Sequence, residues 1–221
     1  MIAPDMTEPR IVVLVSGAGT NLQALIDAAR DPAFPGKIVA VGSNRPDAFA
    51  LERARQAGIE TFTVDHQAHD SRDAFDTVLK AHIERYSPDA LVLAGFMRIL
   101  TPAFVRAFHG ITLNVHPSLL PKYTGLNTHQ RVLEAGDRLH GVSIHFVTED
   151  LDGGPVVAQA EVAVTADDTA DSLADKVQQK EHLLYPIVLR WFCEGRLKMV
   201  GDTVSFDGVP LADPMRLSAG D

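Results

Sequence analysis

Along the first half of the chain, short apolar runs alternate with stretches whose apolar positions recur every three or four residues. Residues 11–15 read IVVLV, β-branched and apolar on both faces, as in a central parallel strand covered from two sides. The run ends at Ser16-Gly17-Ala18-Gly19-Thr20-Asn21, after which Leu22, Leu25 and Ile26 return at helical spacing. Residues 37–41 predict a second strand, and 47–57 a second helix closed by Gly58. Residues 61–64 predict a third strand, and 71–86 a third helix stopped by Ser87-Pro88. Residues 90–94 (ALVLA) predict a fourth, buried strand. Thr101-Pro102 opens a short helix with proline at its first position, and residues 111–116 form a fifth strand.

The pattern changes after Pro117. Residues 117–127 read as a loop, and a helix over 128–135 leads to two alternating segments, 141–147 and 156–164. Asp152-Gly153-Gly154-Pro155 lies between them, a strong turn signal, so the two segments predict a hairpin or an adjacent antiparallel pair. A long helix from 169 to 194 is stopped by Gly195, and residues 197–211 predict a small terminal hairpin. The whole succession predicts an α/β fold: a Rossmann-like open, mostly parallel twisted sheet with helices on both faces and an antiparallel C-terminal part. No repeat or linker divides the chain. The expected layout is a flexible tail at 1–9, one domain at 10–211 and a C-terminal tail at 212–221.

Composition narrows the function classes. Hydrophobic residues make up 46% of the 221 and charged ones 22%, too apolar for a disordered chain. The net charge of −9 disfavours wrapping of duplex nucleic acid, which needs a basic surface, but leaves room for a local anion pocket. The longest apolar run, residues 90–97, is far shorter than the roughly 20 residues of a membrane helix. The opening MIAPDMTEPR does not read as a signal peptide. A single cysteine, Cys193, excludes an internal disulfide and a cysteine-based zinc cluster within one chain. A cytoplasmic protein is expected, with neither membrane nor nucleic acid as partner, and either monomeric or homodimeric.

Three places carry candidate chemistry. At 16–21, two glycines between a buried strand and a helix let backbone approach a ligand, and the helix start offers unpaired N–H groups to an anion. It is no dinucleotide fingerprint, because Leu22 stands where the third glycine would be, and no Gly-Lys-Ser/Thr follows to make a P-loop. A tight turn without a ligand is the alternative. Asn114 and His116 share one face at the carboxyl end of a strand, where open α/β sheets bind ligands. Histidine moves protons near neutral pH and an asparagine amide can donate to an oxyanion, though such a pair can equally tie a strand end to its loop. Asp152, followed by two glycines, is either a turn former or a carboxylate folded back beside His116. Of the other histidines, His66 and His69 form the closest pair for a metal but lack a third ligand at a recognisable spacing. The rest read as surface or strand-end residues. Trp191-Phe192 reads as core packing.

The order of motifs says more than any one of them. Ser16-Gly17-x-Gly19-Thr20-Asn21-Leu22, Ala94-Gly95-Phe96-Met97-Arg98-Ile99-Leu100, Leu113-Asn114-x-His116-Pro117-Ser118-Leu119-Leu120-Pro121 and Leu151-Asp152-Gly153-Gly154-Pro155 follow one another along the chain. In this order and at these spacings the sequence closely resembles the phosphoribosylglycinamide formyltransferase family, from about residue 10 to about residue 211. The resemblance implies the formyltransferase fold. It also implies attack by the amine of glycinamide ribonucleotide on the formyl carbon of 10-formyltetrahydrofolate, a co-substrate, with no metal and no redox step. By residue match it implies proton transfer by His116, oxyanion stabilisation by Asn114 and orientation of the histidine by Asp152. It implies a ribonucleotide site at Gly19, Thr20 and Asn21 and at Gln178, Gln179, Lys180 and Glu181. On the folate side it implies Arg72, then Met97, Arg98, Ile99 and Leu100, then Asn114 and Thr148, Glu149, Asp150, Leu151 and Asp152. Two positions depart from the family pattern: Thr124 and Asn127 stand where members tend to have proline and histidine. Asn127 can hydrogen-bond but cannot relay a proton.

Four rivals are weighed against this expectation. A formyltetrahydrofolate deformylase, a hydrolase on the same core, usually carries an N-terminal regulatory domain, whereas the first strand here begins near residue 11. A methionyl-tRNA formyltransferase carries a further C-terminal domain for tRNA, for which this chain has neither the length nor the basic surface. A Rossmann dehydrogenase is disfavoured by Leu22. A folate- or nucleotide-binding protein without catalysis would not need Asn114, His116 and Asp152 together.

Overall fold

The computed structural model describes residues 8–217. In chain order the elements are β1 (Arg10–Val15), α1 (Thr20–Ala29), β2 (Lys37–Ser43), α2 (Phe49–Gln56), β3 (Glu60–Thr63) and α3 (Arg72–Glu84). Then come β4 (Ala90–Leu93), α4 (Pro102–Ala107), β5 (Thr112–His116), α5 (Thr128–Ala135), β6 (Leu139–Phe146), β7 (Val156–Ala163) and α6 (Ala170–Cys193). The chain closes with β8 (Leu197–Val200), β9 (Thr203–Phe206), β10 (Val209–Pro210) and β11 (Met215–Leu217).

Eight strands make one sheet in the order β11-β7-β6-β5-β4-β1-β2-β3. The strands from β3 to β5 are parallel to their neighbours, while β5–β6 and β6–β7 pair antiparallel. The β1 alternation explains the layering. Ile11, Val13 and Val15 pack into the core on one face with residues of α1 and α6, and Val12 and Leu14 into the core on the other with residues of α3 and α4. Strand order runs one way from β1 to β3 and the other way from β4 to β5, so the connections part between β1 and β4. Ligands of open α/β sheets lie at the carboxyl ends beside such a parting. The glycine loop leaves β1 there, and residues 94–100 leave β4 on the neighbouring strand.

The expected antiparallel pair at 141–147 and 156–164 is β6–β7, closed over Asp152. Gly154 is required at this turn, since a side chain there would run into the Phe146 carbonyl. The long helix starts on a capping box, with Thr169 accepting from Ser172 N while Ser172 reaches back to Thr169 N. Tyr185 on α6 is fully buried and its hydroxyl reaches the Leu93 and Leu113 carbonyls, which locks this helix to the ends of β4 and β5.

Two expectations change. The terminal hairpin is a three-stranded antiparallel sheet, β10-β9-β8. Residues 215–217, inside the stretch expected as a tail from 212, instead form β11, an edge strand parallel to β7. Three residues are too few to show an alternating pattern. The tail expected at 1–9 falls, for residues 1–7, outside the described residues, as do 218–221. Among the described residues no helix is long and apolar enough to cross a membrane.

Candidate active site

The loop after β1 is shaped by what holds its carbonyls. Ala50 N donates to Gly17 O (3.0 Å), Arg53 Nε to Ala18 O (2.8 Å) and Gln23 N to Gly19 O (2.9 Å). Gly19, the residue before α1, is left-handed (φ 73°, ψ 35°), and a Cβ there would lie 2.5 Å from Ala50 Cβ. Only glycine fits against α2 in that conformation. With the carbonyls turned back, the first N–H groups of α1 have no intrahelical acceptor, which is the geometry of an anion cradle. No acidic residue stands in that turn.

A cavity of about 900 Å³ opens over this cradle. Gly19, Thr20 and Asn21 line it on one side, Met97 and Arg98 on another, and Gln178 and Glu181 on a third. Asn21 Nδ2 donates to Glu181 Oε2 (2.7 Å), and Asn21 Oδ1 is buried without a protein partner. Burial pushes the Glu181 carboxyl up, and the bond from Asn21 pulls it partly back. Gln178 and Glu181 share a helix face because they are three apart. Gln179 and Lys180 are turned away from it and do not line the cavity.

Beside the cradle, the ends of β5 and β6 bring four polar groups together. Asn114 lies directly opposite His145 in the antiparallel register, with Asn114 Nδ2 3.0 Å from His145 Nε2. The other ring nitrogen of His145 lies 2.9 Å from the Phe146 carbonyl. A carbonyl only accepts, so Nδ1 carries the proton of that ring. Burial lowers the His145 pKa, so the ring stays neutral and Nε2 accepts one of the two Asn114 amide hydrogens. The second hydrogen on Nδ2 is left for another acceptor.

Asp152, left-handed at φ 53°, turns its carboxylate inward from the β6–β7 turn. Oδ2 lies 3.4 Å from His116 Nδ1 and accepts from Gly125 N (2.8 Å), while Oδ1 lies 3.9 Å from His145 Nε2. His116 Nε2 lies 2.8 Å from the Tyr123 carbonyl. His116 therefore has a carbonyl within hydrogen-bond reach of one ring nitrogen and the Asp152 carboxylate within ion-pair distance of the other. The side chains of His116 and Asp152 are both under a tenth exposed, so their attraction is weakly screened. Asp152 is thus both the turn former and the carboxylate folded back beside His116.

His145 was not singled out by the sequence, where it read as an ordinary strand-end residue; it is buried and joins Asn114 to Asp152. The signal lay in the alternation, since Ser143 and His145 fall opposite His116 and Asn114 once β5 and β6 pair. His140 is likewise buried, 2.9 Å from the Nδ1 of His129 through its Nε2. Burial first, then repulsion from His129 and His116, lowers the His140 pKa to about 4.

The folate-side residues are only partly gathered. Met97 and Arg98 line the cavity, whereas Ile99, Leu100 and Arg72, the first residue of α3, do not. Arg98 stacks its guanidinium on Phe75. Glu149, Asp150 and Leu151 are exposed and Thr148 half-buried in the turn that carries Asp152, and Glu149 is tied to Arg106 (2.8 Å). Asn127 precedes α5 in a left-handed conformation without a side-chain cap bond. No group of three or more histidine, cysteine, aspartate or glutamate residues among the described residues is placed to hold a metal ion. The nearest histidine pair in sequence is not a site: His66 bonds the Asn44 carbonyl (2.8 Å) and His69 packs edge-on against Phe75.

The formyl transferase family model matches residues 9–189. The phosphoribosylglycinamide formyltransferase of Escherichia coli is 57% identical over 198 residues, 90% of this chain and 93% of that protein. The trifunctional purine biosynthetic protein adenosine-3 of Homo sapiens is 40% identical over 88% of this chain, which matches 19% of that longer protein. Among solved structures, the phosphoribosylglycinamide formyltransferase of Coxiella burnetii superposes with a TM-score of 0.91 at 49% identity, covering 95% of this chain and 99% of that one.

Proposed function

The chain belongs to the formyl transferase family, and from that premise we propose that it carries a formyl group from 10-formyltetrahydrofolate to the amine of glycinamide ribonucleotide, a step of purine synthesis. The amine nitrogen attacks the formyl carbon and gives a tetrahedral intermediate whose oxygen is negative and whose nitrogen is cationic. The bond to folate N10 then breaks, N10 takes up the proton that the amine gives up, and tetrahydrofolate leaves. No metal is needed for any of these steps.

The residues fit the two charges that develop. The Asn114 amide, oriented by His145, has a hydrogen to give to the oxyanion, and protonated His116, held by Asp152, stabilises it and helps move the proton. Gly19, Thr20 and Asn21 take the ribonucleotide phosphate, and Gln178 and Glu181 flank it. Met97, Arg98 and the turn at 148–152 take the folate. Ile99, Leu100, Arg72, Gln179 and Lys180 stand outside the cavity wall and would have to act from its margins, and Asn114, His116 and the turn at 148–152 stand beside it rather than in it. A cytoplasmic monomer or homodimer suits small, soluble substrates.

The observation that carries the reading is that Val115 and Pro117, which flank His116 in the chain, line the same cavity as Gly19, Thr20 and Asn21. A deformylase acting on water has no second substrate for an anion cradle to hold, and the relatives do not favour that alternative. The test is release of tetrahydrofolate from 10-formyltetrahydrofolate by purified protein, with and without glycinamide ribonucleotide. Release that depends on the ribonucleotide is expected. Equal release without it would establish the hydrolase instead.

A further inference from the structure

The two proposed substrate subsites meet at one buried hydroxyl. Ser16 follows the last residue of β1 immediately before the anion cradle, and it is 4% exposed. Its Oγ accepts from Met97 N (2.7 Å), at the start of the folate-side segment, and donates to Asn44 Oδ1 (2.6 Å). Asn44, 2% exposed, stands at the end of β2. Its carbonyl accepts from His66 Nδ1 (2.8 Å) just past β3, which leaves His66 Nε2 as the unbonded ring nitrogen. Ser16 N also donates to Gly95 O (3.2 Å). One polar chain therefore crosses the carboxyl ends of four neighbouring strands, β3, β2, β1 and β4, at the parting of the sheet.

The glycine loop has different holds in the two directions. Behind it, α2 grips the Gly17 and Ala18 carbonyls through Ala50 N and Arg53 Nε. Ahead of it, the tie to residues 95–97 runs through Ser16. A hydroxyl that accepts one bond and donates another transmits a shift from one partner to the other, because each bond is directional. An anion settling on Gly19–Asn21 draws on the loop, and the pull reaches the Met97 backbone through Ser16.

We propose that Ser16 is a positioning residue that couples the ribonucleotide cradle to the folate-side segment, so that occupancy of one subsite tightens the other, with Asn44 holding the Ser16 proton in register. This rests on the assignment of the two subsites given above. Coupling between sites is reciprocal and commonly amounts to about 5- to 150-fold in affinity. Its structural carrier here is a single hydrogen-bonded hydroxyl, so an effect near the low end, about 5- to 10-fold, is expected.

The test uses the whole chain and two ligands that cannot react with each other, glycinamide ribonucleotide and tetrahydrofolate, which lacks the formyl group. Tetrahydrofolate is titrated calorimetrically with and without saturating ribonucleotide, and the ratio of the two dissociation constants is the coupling. The wild type is expected to give a ratio of at least about 5. Ser16→Ala should bring it to within about twofold of one, and Ser16→Thr, which keeps the hydroxyl, should restore it. Should the threonine variant not fold, Asn44→Ala serves instead. It should lower the ratio, and combined with Ser16→Ala it should lower it no further, since both act in one chain. A ratio of one in the wild type, with both ligands bound, overturns the coupling and leaves the subsite assignment standing. A Ser16→Ala protein that binds each ligand more weakly at an unchanged ratio shows a merely structural hydroxyl and also overturns it. Failure of either ligand to bind the wild type overturns the subsite assignment, and the coupling with it.

Discussion

Asp152 meets three groups that demand three different things of it. Its Oδ2 accepts from the Gly125 amide, faces His116 Nδ1, and shares a carboxylate with an oxygen that lies near His145. An amide in its place carries no charge in either orientation, so Asp152→Asn loses the charge opposite His116, and it keeps the Gly125 bond only with its oxygen turned to that N–H. Turnover is expected to fall by roughly 10²–10⁴, the range for disabling a positioned acid or base, with binding of both substrates and the melting temperature close to wild type. His116→Asn should fall in the same range, and Asn114→Ala should lose about 10²–10³, as for one oxyanion donor. Wild-type turnover in all three, with the fold intact, would remove the strand-end cluster from the chemistry. His145 acts one step further out, because it is buried and reaches the chemistry through Asn114. Asn114→Ala combined with His145→Ala should therefore be no slower than Asn114→Ala alone. Rates that multiply would mean that His145 has a role of its own.

At the scale of elements, the glycine loop is a packing device as well as a cradle. Gly19 is left-handed against Ala50, so a side chain there meets both dihedral strain and the first turn of α2. Gly19→Val should abolish measurable ribonucleotide binding while tetrahydrofolate still binds, and should also lower the melting point by roughly 5–10 °C. Equal loss for both ligands would mean that the loop serves only the fold. The sheet behind it was legible because β1 and β4 are buried on both faces and bounded by glycine or proline, a pattern that depends on no distant partner. Thr128–Ala135 was legible from its helical spacing alone. The three-residue β11 was not, since so short a run carries no period and its strand character comes from the edge of β7. Nor was His145. Its partners lie 31 and 7 residues away, and they face it only after β5 and β6 pair and the turn at Asp152 closes. The sequence showed which residue types stand at strand ends, and the strand register decided which of them touch.

Taken as a whole, the molecule buries His140 and His145 in β6 and half-buries His129 beside them on α5, and these three rings make folding sensitive to acid. Burial lowers the pKa of His129, His140 and His145, with His140 reaching about 4 from an ordinary 6.5. As pH falls below 6.5 the unfolded chain takes up protons on these rings while the folded chain does not. Stability is therefore fully present above that value and is lost progressively as pH falls towards 4. Glu181 acts in the opposite sense: its raised pKa favours the folded state below its ordinary 4.5 and loses that contribution as pH rises through the raised value. The ordinary carboxylates titrate near 4 and below, so between pH 6.5 and 5 the slope is set by the lowered histidines, His182 on α6 among them, acting against Glu181. The wild-type melting temperature should accordingly fall from pH 7 to pH 5, and His140→Gln should show a shallower fall. The substitution also disturbs the bond to His129 and lowers stability at every pH, so the quantity to compare is the slope against pH and not the melting point itself. Were the variant as steep as the wild type, the acid sensitivity would have to arise outside His140; were the wild type flat across this range, these rings would not link folding to acid at all.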